Sequence, residues 1–264
     1  IQLMMGATEI GQGADTVFTQ MAAEVLGVTE DKVYIVSTQD TDVTPFDTGA
    51  YASRQSYVSG KAVKKTAEMM KEKILEYAAW KLKMDQQTLD IRNNMIVTAE
   101  GEELLTMEAL ATEALYSLER SVHITAEATS HCKENTFASG ACFAEVEVDM
   151  PLGKVNVLKI INVHDSGILM NPKLAEAQVH GGMSMGLGYG LSEELMYDAK
   201  GKPLNNNLLD YKLPTAMDTP ELNVEFIELQ DPTGPFGNKA WENHRLFRWH
   251  RLSETQFAGN RHWL

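Results

Sequence analysis

From Lys61 to Met84, apolar residues recur every three or four positions, at Val63, Ala67, Met70, Ile74, Tyr77 and Ala78, with Lys and Glu filling the opposite face. That spacing predicts a long amphipathic helix, and such a helix is stable only if its apolar stripe has a core to cover. The chain can supply one. Its 264 residues are 44% hydrophobic, enough for one large domain or two ordinary ones.

Around this helix the pattern changes period repeatedly. Ile1 to Met5 reads as a strand, and Gly11-Gln12-Gly13 then leads into Val17, Phe18, Met21, Ala22 and Val25 at helical spacing, with Gly27 as a stop. Lys32 to Ser37 alternates as a second strand, followed by a turn-rich stretch from Asp40 to Ala52. Leu89 to Ile91 and Met95 to Thr98 flank an Asn93-Asn94 turn, and Thr106 to Tyr116 reads as a short helix capped by Thr106. Ala141 to Asp149 and Lys154 to Val163 form the clearest hairpin, across Pro151 to Gly153. Asn171-Pro172 starts a glycine-rich helix, and Asn223 to Leu229 is the last strand. Strands and helices mix without strict alternation, which predicts an α+β fold of mixed sheets with packed helices rather than a doubly wound sheet.

Charge and cysteine usage narrow the function. Lys and Arg number 23 against 37 Asp and Glu, a formal net charge of -14, which argues against nucleic acid or an anionic membrane as partner. The two cysteines, Cys132 and Cys142, are too few for a disulfide scaffold or for the four thiolates of an iron–sulfur cluster, and zinc-type spacing is absent. No apolar run reaches the roughly eighteen residues of a membrane span and no signal peptide opens the chain, so the expected location is the cytoplasm.

Individually, the candidate motifs are open to two readings. Gly11-Gln12-Gly13 before a helix suits an anion, because helix N-termini present N–H groups and a positive dipole end; it also suits a plain strand-to-helix turn. Thr48 to Arg54 offers small residues, a hydroxyl and a guanidinium that fit a phosphate or heterocycle, or an ordinary loop. His164-Asp165 reads as half of an acid–base pair or as a structural pair, and Cys142 as a small strand residue. The glycines from Gly181 to Gly190 fit neither a dinucleotide fingerprint nor a Walker loop.

Taken in order, six segments resemble one family. They are Gly6 to Gly13, Pro45 to Gln55, Val163 to Gly167 with Asn171-Pro172, Gln178 to Gly182, Asn207 to Thr215, and Gly234 to Ala240. Their sequence and spacing over Ile1 to Ala240 resemble the C-terminal molybdopterin-binding half of the xanthine dehydrogenase and aldehyde oxidase family. The resemblance implies that the segment at Gly11, Gln12 and Gly13 holds the anionic molybdopterin. It implies further that the loop at Ala52, Ser53, Arg54 and Gln55 closes over the pterin and dithiolene, and that Gln178 hydrogen-bonds the cofactor. No protein side chain is expected to bind metal directly.

The family's general base, a glutamate in a Leu-Gly-Glu-Pro-Pro pattern after the Gly-Pro-Phe-Gly-like stretch, is missing. Instead the chain runs Trp241-Glu242-Asn243-His244-Arg245, and its last 24 residues hold three of the four Trp, three of the seven His and four of the seven Arg. A one-base shift accounts for this. If each true codon takes the last base of one codon and the first two of the next, Trp241 to Asn243 become NTG, GGA and RAA. These allow leucine, force glycine and allow glutamate. The following residues permit proline, proline, alanine and isoleucine, and a second Trp codon before His250 forces an alanine. The expected organisation is therefore a molybdopterin-binding region over 1–240, lacking its upstream half, and a frame-shifted tail over 241–264. Glu242 sits one position early and lacks the preceding glycine, so no catalytic residue is assigned.

What the resemblance implies for activity is a molybdenum-dependent oxidoreductase. Such an enzyme would hydroxylate purines, hypoxanthine and xanthine to urate, with oxygen from water, and pass electrons through FeS and FAD centres on partner subunits to NAD. The isolated chain is expected to be inactive. The alternatives are a related aldehyde or N-heterocycle hydroxylase and a non-catalytic fragment of a decayed gene.

Overall fold

A computed structural model describes residues 1–38, 40–134 and 136–240. The expected frame-shifted tail lies outside the described residues. Within 1–240 the chain forms two compact units, one from Ile1–Thr136 with Asp231–Ala240 and the other containing Phe137–Gln230.

In the first unit, β1 (Gln2–Met4) pairs in parallel with β2 (Tyr34–Val36), and α1 (Ala14–Leu26) is the crossover between them. α1 buries Val17, Phe18, Met21, Ala22 and Leu26 and ends where the sequence predicts, with Gly27 in the left-handed conformation. α2 (Gly60–Leu82) buries Val63, Ala67, Ile74, Tyr77 and Ala78 and packs on α1, while Met70 is only half-buried. A π-helical turn, Gln55–Ser59, precedes it without a break.

β3 (Leu89–Arg92) and β4 (Met95–Thr98) form the predicted hairpin, with Asn93 and Asn94 both at positive φ as the primed turn requires. A third strand, β5 (Glu103–Thr106), joins β4 antiparallel and was not expected, because Glu-Leu-Leu-Thr is too short to show a period. α3 (Met107–Tyr116) follows, its first turn capped by Thr106 Oγ1 accepting from the Ala109 N–H at 3.1 Å. Asp231–Ala240 is tied into this unit by Tyr57, which is fully buried. Thr233 gives its only hydroxyl hydrogen to Asp231 Oδ1 at 2.6 Å, so at the 2.5 Å contact with Thr233 Oγ1 the Tyr57 hydroxyl is the donor.

The second unit is a three-stranded sheet covered on one face by a helix. β6 (Ser139–Asp149) and β7 (Lys154–Asp165) are antiparallel, and β8 (Glu221–Phe226) runs parallel to β7, so the sheet is mixed as predicted. β8 starts two residues before the expected strand and ends three residues before it. α4 (Pro172–Leu191) begins where Asn171 Oδ1 accepts the Leu174 N–H. Val179, Met183 and Leu187, four residues apart, lay one stripe over Ile160, with Cys142, Val157, Leu222, Val224 and Phe226 around it. Among the described residues no helix is long and apolar enough to cross a membrane.

Candidate functional site

The segment leaving β1 and the strap from Asp40 to Arg54 are built against each other. Gly6 makes this approach possible: a Cβ there would lie 1.9 Å from the Pro45 carbonyl oxygen. The strap then folds around Asp47, whose carboxylate accepts from Arg54 Nη1 at 2.6 Å, Arg54 Nη2 at 3.3 Å, the Gly49 N–H at 2.8 Å and Ser59 Oγ at 3.2 Å. Burial disfavours the Asp47 charge, but the Arg54 guanidinium, the Gly49 N–H and the Ser59 hydroxyl together outweigh it and hold the carboxyl below its ordinary value. Arg54 also donates to the Gly49 carbonyl at 2.9 Å and lies 5.7 Å from the Tyr51 ring centre. Its guanidinium is thus spent on the strap. An acid seven residues before an arginine in a tight loop is the signal by which Asp47 could have been found.

Ala52 and Ser53, which sit between Tyr51 and Arg54, both adopt left-handed backbone conformations, with φ of 48° and 49°. For residues with a Cβ this costs on the order of 1–2 kcal/mol each, and strain of this kind concentrates where a loop must present its backbone to a ligand. Ala52 is exposed and Ser53 half-buried.

Gln55 is buried, and its amide meets that of Gln12 across 43 residues of sequence. Gln12 Nε2 donates to Gln55 Oε1 and, at 2.9 Å, to the Thr8 carbonyl; Gln55 Nε2 donates to the same carbonyl at 2.9 Å. Gln12 Oε1 accepts the Ile10 N–H at 2.7 Å. Four of the expected residues, Gln12, Ser53, Arg54 and Gln55, therefore belong to one connected patch of the first unit, together with Gly11, Gly13 and Ala52.

The glycine turn closes on a carboxylate of its own segment. Gly11 and Gly13 have φ of 99° and 86°, the conformation that requires glycine, but their N–H groups do not face outward for an external anion. Both donate to Glu9 Oε1, at 2.6 and 3.1 Å, and the Asp15 N–H donates to Glu9 Oε2 at 3.0 Å. Partial burial opposes the Glu9 charge, yet the Asp15, Gly13 and Gly11 N–H groups hold its carboxyl below the ordinary value. A carboxylate one turn before a helix start was a legible signal that the sequence reading passed over.

Gln178 lies in the second unit, half-buried on α4 beside Val179. In that unit His164 and Asp165 are both buried at the end of β7, and Asp165 Oδ1 accepts the Gly167 N–H at 3.1 Å, so its carboxylate shapes the turn. Among the described residues no group of three or more His, Cys, Asp or Glu side chains could hold a metal ion.

The donors gathered here are neutral amides and a hydroxyl on a strained strap. They suit the hydrogen-bonding edges of a large heterocycle better than a bare metal or a free phosphate. Residues 1–220 match the family profile of the molybdopterin cofactor-binding domain, and the chain belongs to that family. Molybdopterin is accordingly the cofactor that its fold is built to hold.

Over 243 residues the chain is 49% identical to the xanthine dehydrogenase molybdenum-binding subunit of Escherichia coli O157:H7, covering 91% of this chain and 32% of that protein. It is 29% identical to the carbon monoxide dehydrogenase large chain of Hydrogenophaga pseudoflava, over 89% of this chain and 30% of that one. Among solved structures, quinoline 2-oxidoreductase from Pseudomonas putida 86 superposes with a TM-score of 0.83 at 26% identity, covering 96% of this chain and 33% of that one. The chain thus spans about a third of the length of the relatives it matches.

Proposed function

We propose that this chain is part of the molybdenum-binding subunit of a purine hydroxylase, converting hypoxanthine and xanthine to urate. The observation that carries this is the 49% identity to a xanthine dehydrogenase subunit over 243 residues. Molybdopterin supplies a metal centre able to exchange oxygen and an electron pair. The chain's own residues bind and orient it. Ser53 and the N–H groups of Ala52 and Ser53 would hydrogen-bond the pterin, Gln12 and Gln55 would offer it their amides, and Gln178, on α4 of the second unit, is by family resemblance a further hydrogen-bonding residue. Gly11 and Gly13 shape the turn, and Arg54 holds the strap in place.

In this reading the electrons leave through FeS and FAD centres on partner subunits to NAD, in the cytoplasm. The carboxylate base comes from the continuation that the one-base shift hides after Ala240. Restoring that frame and co-expressing the subunit with its upstream half and partners is the test. Hydroxylation of xanthine by the restored complex supports the reading, and turnover of aldehydes or quinolines but not purines would move it to a related hydroxylase. The 264-residue chain alone should show no xanthine turnover; measurable activity with added cofactor would refute the lost-base argument. The 29% identity to a carbon monoxide dehydrogenase chain keeps the related-hydroxylase reading in view. Stops and further lesions in flanking DNA would favour a decayed gene.

A further inference from the structure

We propose that Asn238 is a positioning residue for the carboxylate base: its buried amide holds the backbone that follows Ala240 in the restored frame, and so fixes where the glutamate of that continuation stands. The inference deepens the functional reading above and rests on it for the identity of the base. What points to it is an amide without a counterpart. Asn238 is only 3% exposed, and among the described residues neither its Oδ1 nor its Nδ2 has a hydrogen-bond partner. A buried amide left unpaired costs more than a hydrogen bond is worth, because it gives up its water and gains nothing in return. An asparagine in that position calls for a partner that the described residues do not supply.

The turn around it narrows the choice. The N–H groups of Asp231, Thr233, Gly234, Gly237 and Asn238 all donate within Asp231–Asn238. An asparagine side chain ordinarily reaches the N–H two or three residues further on. Two residues on is Ala240, whose N–H is given to Thr136 Oγ1 at 2.9 Å. Three residues on is the position where the shifted frame restores leucine, followed by glycine and the glutamate. Glycine lets a backbone come close to a buried amide, and the frame-shifted chain has Glu242 in its place.

The turn is fixed from the side of α2. Gly234 admits the asparagine: a Cβ there would lie 2.8 Å from Asn238 Oδ1 and 1.7 Å from the Asn238 carbonyl oxygen. Phe236 is held in the left-handed conformation, at φ 57°, with Lys64 Nζ 5.0 Å from its ring centre, and the Tyr57 hydroxyl ties Thr233. The chain is thus anchored on both sides of Asn238, and the amide is the polar group left to direct what comes next.

The experiment separates this claim from the functional reading. Its first arm needs no cofactor and compares thermal melting of the 264-residue chain with that of the same chain carrying the one-base correction after Ala240. Asn238→Leu should lower the melting temperature of the corrected chain by about 2–6 °C, as expected when a buried hydrogen-bonded amide is removed from a domain of this size. In the 264-residue chain, where the amide has no partner among the described residues, the same change should leave the melting temperature in place or raise it. Asn238→Ser, whose hydroxyl can still accept the N–H three residues on, should recover part of the loss. Equal losses in both chains, or none in the corrected one, would overturn the inference. If Asn238→Leu does not fold, Asn238→Ser decides it by the same comparison.

The second arm uses the corrected subunit assembled with its upstream half and partners, and reads xanthine kinetics beside molybdenum content. Asn238→Leu should lower kcat roughly tenfold, the effect of a base slightly out of place, with KM and bound molybdenum within about twofold of the unsubstituted complex. Asn238→Ser should restore part of the rate. Loss of molybdenum, or a raised KM at unchanged kcat, would set the amide against cofactor or substrate and overturn its role. An unsubstituted complex without turnover would sink the functional reading, and the role given to the base with it, while the melting comparison still decides whether the amide holds the continuation.

Discussion

The two units of this chain bury their apolar residues to very different extents. The first encloses Phe18, Leu26, Tyr57, Tyr77, Ile91, Ile96 and Leu110 almost completely. In the second, the core among the described residues is Ile160 with Val179, Met183 and Leu187, and nearly every residue of β6 is exposed. Met150 and Leu152 at the β6–β7 tip are each 77% exposed. Large apolar side chains left in water at that density mark surface meant to be covered. The contrast teaches that the first unit closes its own apolar residues into a core far more completely than the second. The second leaves a larger share of its apolar side chains in water among the described residues.

The comparison can be broken most decisively in the cores. Phe18→Ala should cost about 3–5 kcal/mol and unfold the first unit in a denaturant titration, while Ile160→Ala, at about 2–5 kcal/mol, should exceed what the small second core can lose and abolish hydrogen-exchange protection in β7. Equal tolerance of the two changes would erase the distinction.

The next largest effect belongs to the strap. Gly6→Ala drives a Cβ into the Pro45 carbonyl and should cost about 1–3 kcal/mol in thermal melting, with no change in the second unit. Asp47→Asn should cost about 1–3 kcal/mol, because Arg54 loses its charged acceptor in a site where both side chains are less than a fifth exposed. Asp47→Asn should also raise strap mobility, read as faster amide exchange at Gly49.

A smaller effect depends on pH. Glu9 and Asp47 both titrate below their ordinary values when folded, so the stability they contribute is fully present above the ordinary carboxylate range and is lost as pH falls through their depressed values. Acid should therefore loosen the glycine turn and strap first. Amide exchange at Gly11 and Gly49 that is indifferent to acid would contradict this. Smallest of all, Met150→Ser with Leu152→Ser should shift stability by no more than about 0.5 kcal/mol while reducing self-association in light scattering.

Much of the architecture was legible because it repeats. α1, α2, both hairpins and the cap at Asn171 follow from periodicity and turn chemistry, and strands and helices that do not strictly alternate point to a mixed α+β fold. β5 was not legible, since four residues carry no period, and β8 was set in register by its parallel pairing with β7 rather than by its own pattern. At the site, the sequence points to Gln12 and Gln55 singly. Their contact spans 43 residues, and no local rule links them. Glu9 and Asp47 were within reach, since each is an acid a few residues before the helix start or the arginine whose hydrogen bonds it accepts.

The first unit is made of two stretches of chain, and its closing piece, Asp231–Ala240, follows everything in Phe137–Gln230. A ribosome therefore delivers the Thr233 partner of Tyr57 last. Until it arrives, that tyrosine lacks the oxygen it donates to and the nascent unit stays unlatched. Rapid collapse of the intervening sheet would bring the latch home sooner, by shortening the slack that must be closed. The frail unit would then act, during synthesis, as an assistant to the robust one.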